Sequence, residues 1–209
     1  MKKLISGIID FRKTMLPARR HQFAELAKGQ SPDSLFITCS DSRVAPNWFA
    51  STDPGDLFVV RNVGNLIPPC GDWGMTEWDK SEFAAVEFAI LALNVRDIIV
   101  CGHSECGAMN AVCNHSFIEG APHLRSWLSH AEVSLKILET EKSLNSKMSR
   151  VNQLSQINVL QQIEHLKTYP LIQKRLADGT LNIHGWWFEI AEAAVHAFDE
   201  KSRSFKLIE

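Results

Sequence analysis

The middle of the chain alternates short apolar runs with longer helical patterns. Leu35 to Thr38 and Leu57 to Val60 are apolar and partly β-branched, as expected of strands buried on both faces. The stretch 97–102 (Asp-Ile-Ile-Val-Cys-Gly) has the same character and stops at a glycine. Between the second and third of these runs, residues 79–95 carry apolar groups nearly all round (Phe83, Val86, Phe88, Ile90, Leu91, Leu93), which predicts a buried helix. Strand, helix and strand in that order make a βαβ unit. The predicted fold is therefore α/β, a mostly parallel central sheet flanked by helices. Residues 2–28 read as two N-terminal helices. Leu4, Ile5, Ile8, Ile9 and Phe11 form the face of the first, Pro17 starts the second, and Gly29 ends it. After residue 106 the pattern is helical over 131–142 and 150–168, with Leu154, Ile157 and Leu160 on one face and Pro170 as the stop. Asp178-Gly179 is a turn. Leu181 to Ile190 and the tail from Phe198 read as closing edge strands, with Trp186 and Trp187 packed.

Nothing divides this pattern, so residues 1–209 read as one domain, with 1–30 a helical arm and 31–209 the α/β core. Composition agrees: 45% of the residues are hydrophobic and 22% charged, enough for a sizeable core. A formal net charge of -2 gives no reason to expect nucleic acid or an anionic membrane as partner. The apolar run Leu4 to Ile9 is short and meets Asp10, unlike a secretory signal. Five cysteines are too few and too scattered for a secreted disulfide scaffold, so a reducing cytoplasm is the expected setting.

In parallel sheets, chemistry collects beyond the carboxyl ends of the strands. Two strands of this chain end in metal-ligand residues. Cys39 follows the first, and His103 with Cys106 follows the third. A catalytic zinc takes three protein ligands and keeps one position open. His103 and Cys106 stand three apart where strand turns to helix, and Cys39 comes from a neighbouring strand end. Buried free cysteines and a turn-bonding histidine would look the same on spacing alone. Asp41 and Arg43, two and four residues after Cys39, sharpen the reading. A guanidinium can hold a carboxylate by two parallel hydrogen bonds, keep it ionised and aim it at the open position. A local ion pair capping a loop is the simpler alternative.

Taken together, Cys-Ser-Asp-Ser-Arg (39–43), Arg-Asn-Val-Gly-Asn (61–65), Gly-His-Ser-Glu-Cys-Gly (102–107) and His-Gly-Trp (184–186) resemble the β-class carbonic anhydrases, over nearly the whole chain. The resemblance implies a zinc lyase that hydrates CO2 reversibly to bicarbonate and a proton. It implies one Zn2+ per chain on Cys39, His103 and Cys106, with Asp41 and Arg43 as the catalytic dyad. Gln30 matches a glutamine that helps hold substrate, and Phe58, Val63 and Phe88 match the apolar CO2 lining. Gln30 fits the plant-type branch, in which tyrosine often stands where this chain has Phe88. The family assembles its site at a dimer interface, which implies a homo-oligomer, either a dimer or a tetramer or octamer built from dimers. A carboxysome is the other compartment that fits, although the sequence stops at Glu209 without the long extension of carboxysomal cyanobacterial members.

Three other readings share the same residues. Zinc chemistry of this kind would also attack CS2 or COS. A zinc-stabilised adaptor would need no open metal position and no dyad. A cysteine nucleophile with a phosphate loop is disfavoured, because no glycine lies between Cys39 and Arg43. Two thiolates cancel the formal charge of Zn²⁺, so water at this site is expected to be less acidic than at an all-histidine site, and turnover better at alkaline pH. Asp41 is also near enough in sequence to reach the metal itself and close the site.

Overall fold

A computed structural model of the chain describes residues 1–76, 79–140 and 147–209. It comprises two compact units, Met1–Ser31 and Pro32–Glu209.

The first unit is one helical run rather than two helices. α1 (Lys2–Asp10) and α2 (Leu16–Leu26) are joined by a π-helical stretch, Phe11–Met15, with right-handed helical backbone at both junctions. Pro17, near the start of α2, lacks an N–H and crowds the carbonyl of the preceding turn. A wider π turn just before it absorbs that misfit without breaking the helix. No residue of this run is buried, and Leu4, Ile5, Ile8 and Ile9 present a continuous apolar face to solvent.

The second unit is built on a six-stranded sheet in the order β2-β1-β3-β4-β5-β6. β1 (Ser34–Cys39) and the following short α3 (Pro46–Phe49) precede the edge strand β2 (Leu57–Asn62). α4 (Ser81–Glu87) with a π-helical continuation (Phe88–Ala92) crosses over to β3 (Asp97–His103) on the far side of β1. α5 (Gly107–Cys113), α6 (Pro122–Leu128), α7 (Glu132–Thr140), α8 (Arg150–Lys167) and α9 (Pro170–Ala177) then lead to β4 (Asn182–Glu189), β5 (Ala194–Asp199) and β6 (Ser204–Leu207). β1 to β4 are mutually parallel, while β5 and β6 close the sheet antiparallel.

Alternation along the strands explains the two-faced burial. Leu35, Ile37, Ile98 and Val100 face a core formed with α4, α8 and α9, including Phe83, Val86, Val159, Ile163 and Tyr169. Phe36, Ile99 and Cys101 face the opposite side, where Phe49 and Trp186 lie about the Phe36 ring at 6.0 and 5.9 Å. The fold class read from the apolar runs is the fold observed.

Three details differ from the sequence reading. The 79–95 helix is not buried all round: Phe88 and Leu91 are 47% and 67% exposed, because the helix lays only one face on the sheet. Pro170 does not simply stop a helix but opens α9, where its missing N–H costs nothing. The closing region is three strands rather than two, with β5 beginning at Ala194, four residues before Phe198. Helix 131–142 corresponds to α7, and residues 141–142 lie outside the described residues.

α8 lies directly on the ends of β3 and β4. A methyl group built on Gly102 would sit 2.7 Å from Cγ2 of Val159 and 3.3 Å from the backbone oxygen of Ser155, a contact the helix backbone cannot relieve alone. Gly102→Ala is therefore expected to lower unfolding stability by about 1–3 kcal/mol. Urea denaturation of the two proteins checks this, and an unchanged midpoint and slope would mean that α8 does not seat as described.

Candidate metal centre

The site forms where three loops leave the carboxyl ends of β1, β2 and β3. The loops after β2 and β3 have backbone that few residues tolerate. After β2, Asn62 closes a tight turn on Leu66, accepting from its N–H and donating to its C=O, both at 2.8 Å. Within that turn Gly64 (φ 87°) and Asn65 (φ 48°) adopt left-handed backbone, which glycine and asparagine bear most readily. The Gly64 N–H thereby donates to Sγ of Cys39 at 3.4 Å.

After β3, the turn Ser104-Glu105 reverses the chain so that His103 and Cys106 meet. Glu105 carries the strain of that reversal with φ 52°. Three bonds hold it there: its N–H donates to Oδ1 of Asn152 at 2.7 Å, its Oε1 accepts from Asn152 Nδ2 at 3.0 Å, and its carbonyl accepts from Nη2 of Arg43 at 3.0 Å. Glu105 is thus a bracket between the dyad and α8.

The result brings together the ligand atoms of Cys39, His103 and Cys106, all within 4.8 Å of one another and all buried. Nδ1 of His103 donates to the Ser104 carbonyl at 2.9 Å, which leaves the lone pair on Nε2. That Nε2 is shut away from solvent and has no hydrogen-bond partner among the described residues. A buried, unpartnered nitrogen facing two sulfurs is the donor set of a borderline-soft divalent ion. The two thiols are pushed in opposite directions. The hydrogen bond from Cys106, together with that from the Gly64 N–H, pulls Cys39 well below the ordinary thiol value against the cost of burial. The same bond, with burial, pushes Cys106 up. A metal ion would displace the thiol proton of Cys106.

Asp41 and Arg43 form the fork read from the sequence. Arg43 Nε donates to Oδ1 at 2.9 Å and Nη2 to Oδ2 at 2.7 Å, and the Arg43 backbone N–H adds a third bond to Oδ1 at 3.0 Å. These bonds from Arg43 hold the Asp41 carboxyl far below the usual carboxylate range. Its Oδ2 lies 3.9 Å from Nε2 of His103, beside the three ligand atoms. Arg61 keeps this loop in register, donating to the carbonyls of Cys39 (3.1 and 3.0 Å) and Asp41 (2.7 Å).

Of the residues carried over for substrate, Phe58 and Phe88 meet with ring centroids 5.8 Å apart. Val63 is 41% exposed, accepts the Trp127 indole N–H at its carbonyl (2.7 Å), and lines an apolar cavity of about 270 Å³ with Gly107, Ala108 and Leu128. Gln30 is exposed and belongs to the N-terminal unit.

Sequence reasoning missed the support supplied by α8. Asn152, Ser155, Asn158, Gln162 and His165 recur at helical spacing and form a polar stripe on a helix read only for its apolar face. Ser155 donates to the His103 carbonyl (2.8 Å), Asn158 to that of Gly64 (3.0 Å), and Gln162 accepts the Ile67 N–H (2.7 Å). His165 Nδ1 donates to the Ile67 carbonyl at 2.7 Å. The stripe gives partners to backbone groups of the β2 and β3 loops that burial would otherwise leave unpaired. Amide side chains at three- and four-residue steps were the available signal.

This geometry can be set against known proteins. The family model described as Carbonic anhydrase matches residues 34–195. The chain belongs to the carbonic anhydrase family. It is 38% identical to the carbonic anhydrase of Pseudomonas aeruginosa over 98% of this chain and 90% of that one. It is 43% identical to the carbonic anhydrase of Synechococcus elongatus, over 93% of this chain and 70% of that one. Among solved structures, the β-carbonic anhydrase CcaA superposes with a TM-score of 0.91 at 40% identity, covering 100% of this chain and 99% of that one. A tetrameric β-carbonic anhydrase from Sordaria macrospora gives 0.81 at 29% identity, over 94% and 95% of the two chains. The class is therefore β, whose members are zinc lyases that hydrate carbon dioxide reversibly. Among the described residues, no helix is long and apolar enough to cross a membrane.

Proposed function

We propose that this chain holds one zinc ion on Cys39, His103 and Cys106 and uses Asp41 and Arg43 to hydrate CO2 to bicarbonate and a proton. The observation that carries it is a three-atom soft donor set within 4.8 Å, with an ionised carboxylate directed beside it. Zinc, when bound, supplies the Lewis acidity that makes water a competent nucleophile near neutral pH. Asp41, unable to pick up a proton at working pH, accepts a hydrogen bond from the attacking water and so fixes its lone pair toward the substrate carbon. Arg43 holds Asp41 in place, and its bond to the Glu105 carbonyl ties that position to the His103–Cys106 turn. Phe58, Val63 and Phe88 offer CO2 an apolar surface. X-ray absorption at the zinc edge tests the ligand set: two sulfurs at about 2.3 Å with one nitrogen and one oxygen near 2.0 Å are expected. A shell of nitrogen and oxygen only would contradict it.

The pH dependence has a definite sign. With two thiolates cancelling the metal charge, kcat/KM is expected to rise from about pH 6.5 to about pH 9. Asp41 does not contribute to that rise. Its folded value is depressed, so its stabilising bonds are fully present above about pH 3.9 and are lost only as pH falls through the lower folded value. A flat stopped-flow profile over the alkaline range would sink the thiolate argument.

The chain is further read as a homo-oligomer with an even number of copies. Val59, Val63, Phe88 and Leu91 are 36%, 41%, 47% and 67% exposed, and the first belongs to the edge strand β2, paired on one side only within the chain's sheet. Edges and apolar groups of this kind are normally covered, and the Sordaria relatives are described as tetrameric. Light scattering on a size-exclusion column should find at least two chains per particle; a monomer at micromolar concentration would refute this. A cytoplasmic setting, or a carboxysome, is consistent with the five free cysteines.

A further inference from the structure

The opposite end of the sheet carries a second polar site. A cavity of about 360 Å³ opens at the amino ends of β3 and β4, lined by Asn94, Arg96, Arg175, Gly179, Thr180 and Asn182. Six residues of β3, 97–102, separate it from His103, about 20 Å at the rise of a strand. It therefore does not share the metal centre.

Among the described residues, two guanidinium groups and no carboxylate line this cavity. Arg175 is half-committed: Nη2 donates to Oδ1 of Asn94 at 2.9 Å, while its Nε is shut away from solvent with no hydrogen-bond partner among the described residues. A guanidinium N–H withdrawn from water without an acceptor is costly, and a charged one more so. The nearest acid in sequence, Asp97, is occupied. Its Oδ1 accepts from His184 Nε2 at 2.7 Å and from Asn182 Nδ2 at 3.2 Å. Asp178, next to the lining residue Gly179, is exposed and does not line the cavity. The backbone here is already paired, with the N–H of Asn182 on the Arg96 carbonyl (2.8 Å) and that of Thr180 on the Arg175 carbonyl (3.0 Å). What the cavity lacks is an acceptor carrying negative charge.

We propose that this cavity is a binding site for a small tetrahedral oxyanion of the phosphate class, held between Arg96 and Arg175. Planar guanidinium groups match the paired oxygens of phosphate, whether free or as the terminal group of a phosphomonoester. The cavity exceeds the size of a bare phosphate, so both sources fit. The proposal does not depend on the zinc reading, since the two sites share no residue.

The test uses zinc-loaded protein titrated calorimetrically with inorganic phosphate and, separately, with AMP. Wild-type protein and the variants Arg175→Gln, Arg96→Gln and Asp41→Asn are compared. Saturable binding that weakens by about tenfold or more in each arginine variant, and is retained in Asp41→Asn, supports the site. Tighter binding of AMP than of phosphate identifies the ligand as a phosphomonoester, and the reverse order identifies the free ion. CO2 hydration and zinc content should be unchanged in both arginine variants, which shows that they fold. No saturable binding by wild type, or equal binding by the arginine variants, overturns the proposal.

Discussion

Asp41→Asn should cost about 10²-fold or more in kcat for CO2 hydration while leaving zinc content at the wild-type level. The substitution keeps the shape of the side chain but replaces one acceptor oxygen with a donor. The fork from Arg43 then meets an amide: Nε and Nη2 cannot both find acceptors at the places where they now bond Oδ1 and Oδ2. Either the amide turns its N–H₂ toward Arg43 and loses a bond there, or it turns the N–H₂ toward the nucleophile and offers a donor where an acceptor is needed. Both outcomes remove the orientation that the carboxylate supplies. The effect should fall on kcat, since Asp41 is not among the three ligands and does not line the apolar surface. Stopped-flow hydration on metal-analysed protein measures both quantities. Retention of wild-type kcat with full zinc would reduce the Asp41–Arg43 pair to a loop cap.

The second large effect concerns the metal. Cys106→Ala should abolish stable zinc retention. Wild type should keep about one ion per chain through dialysis against a mild chelator, and the variant close to none. Cys106 sits 1% exposed at the start of α5, fixed by the Glu105 reversal, and among the described residues no further cysteine joins the Cys39–His103–Cys106 cluster. Of the remaining cysteines, Cys101 faces the opposite core and its thiol is pushed up to about 12 by full burial. The loss has a readout independent of activity. Zinc that binds only the folded protein raises its thermal midpoint by mass action, so wild type should melt higher with zinc than after chelation, and the variant should melt alike in both. Equal zinc retention by the two proteins would remove Cys106 from the ligand set.

The site was more legible in the sequence than the scaffold that holds it. Leu35 to Ile37 and Ile98 to Cys101 are unbroken apolar runs, so their burial on both faces and their parallel pairing could be read directly. Their chemistry sits where such strands end, so Cys39, Asp41, Arg43, His103 and Cys106 followed. The turns of the closing region could not be read this way. The β4–β5 connection has no glycine, proline or asparagine: Ala193 takes the left-handed conformation (φ 49°) within the run Ile190-Ala-Glu-Ala-Ala, which reads as helix. The β5–β6 turn is held by Asp199, whose Oδ1 accepts from the Ser202 N–H at 2.7 Å and from Lys206 at 3.0 Å, with Arg203 at φ 50°. The α8 stripe was hidden for another reason. Buried amides look like a solvent-facing helix side until one knows which loop backbones lie against them. The N-terminal run misled through Pro17, since a π turn and a break leave the same mark in sequence.

The most direct test of the central claim is stopped-flow CO2 hydration at pH 8.5 by one preparation in three states: as zinc-loaded, after chelation, and after return of one equivalent of zinc. Fast turnover that vanishes with the metal and returns with it is predicted, with the recovered rate proportional to zinc bound. Full zinc occupancy without turnover in any state would contradict the account and leave a metal-stabilised protein that is not a hydratase.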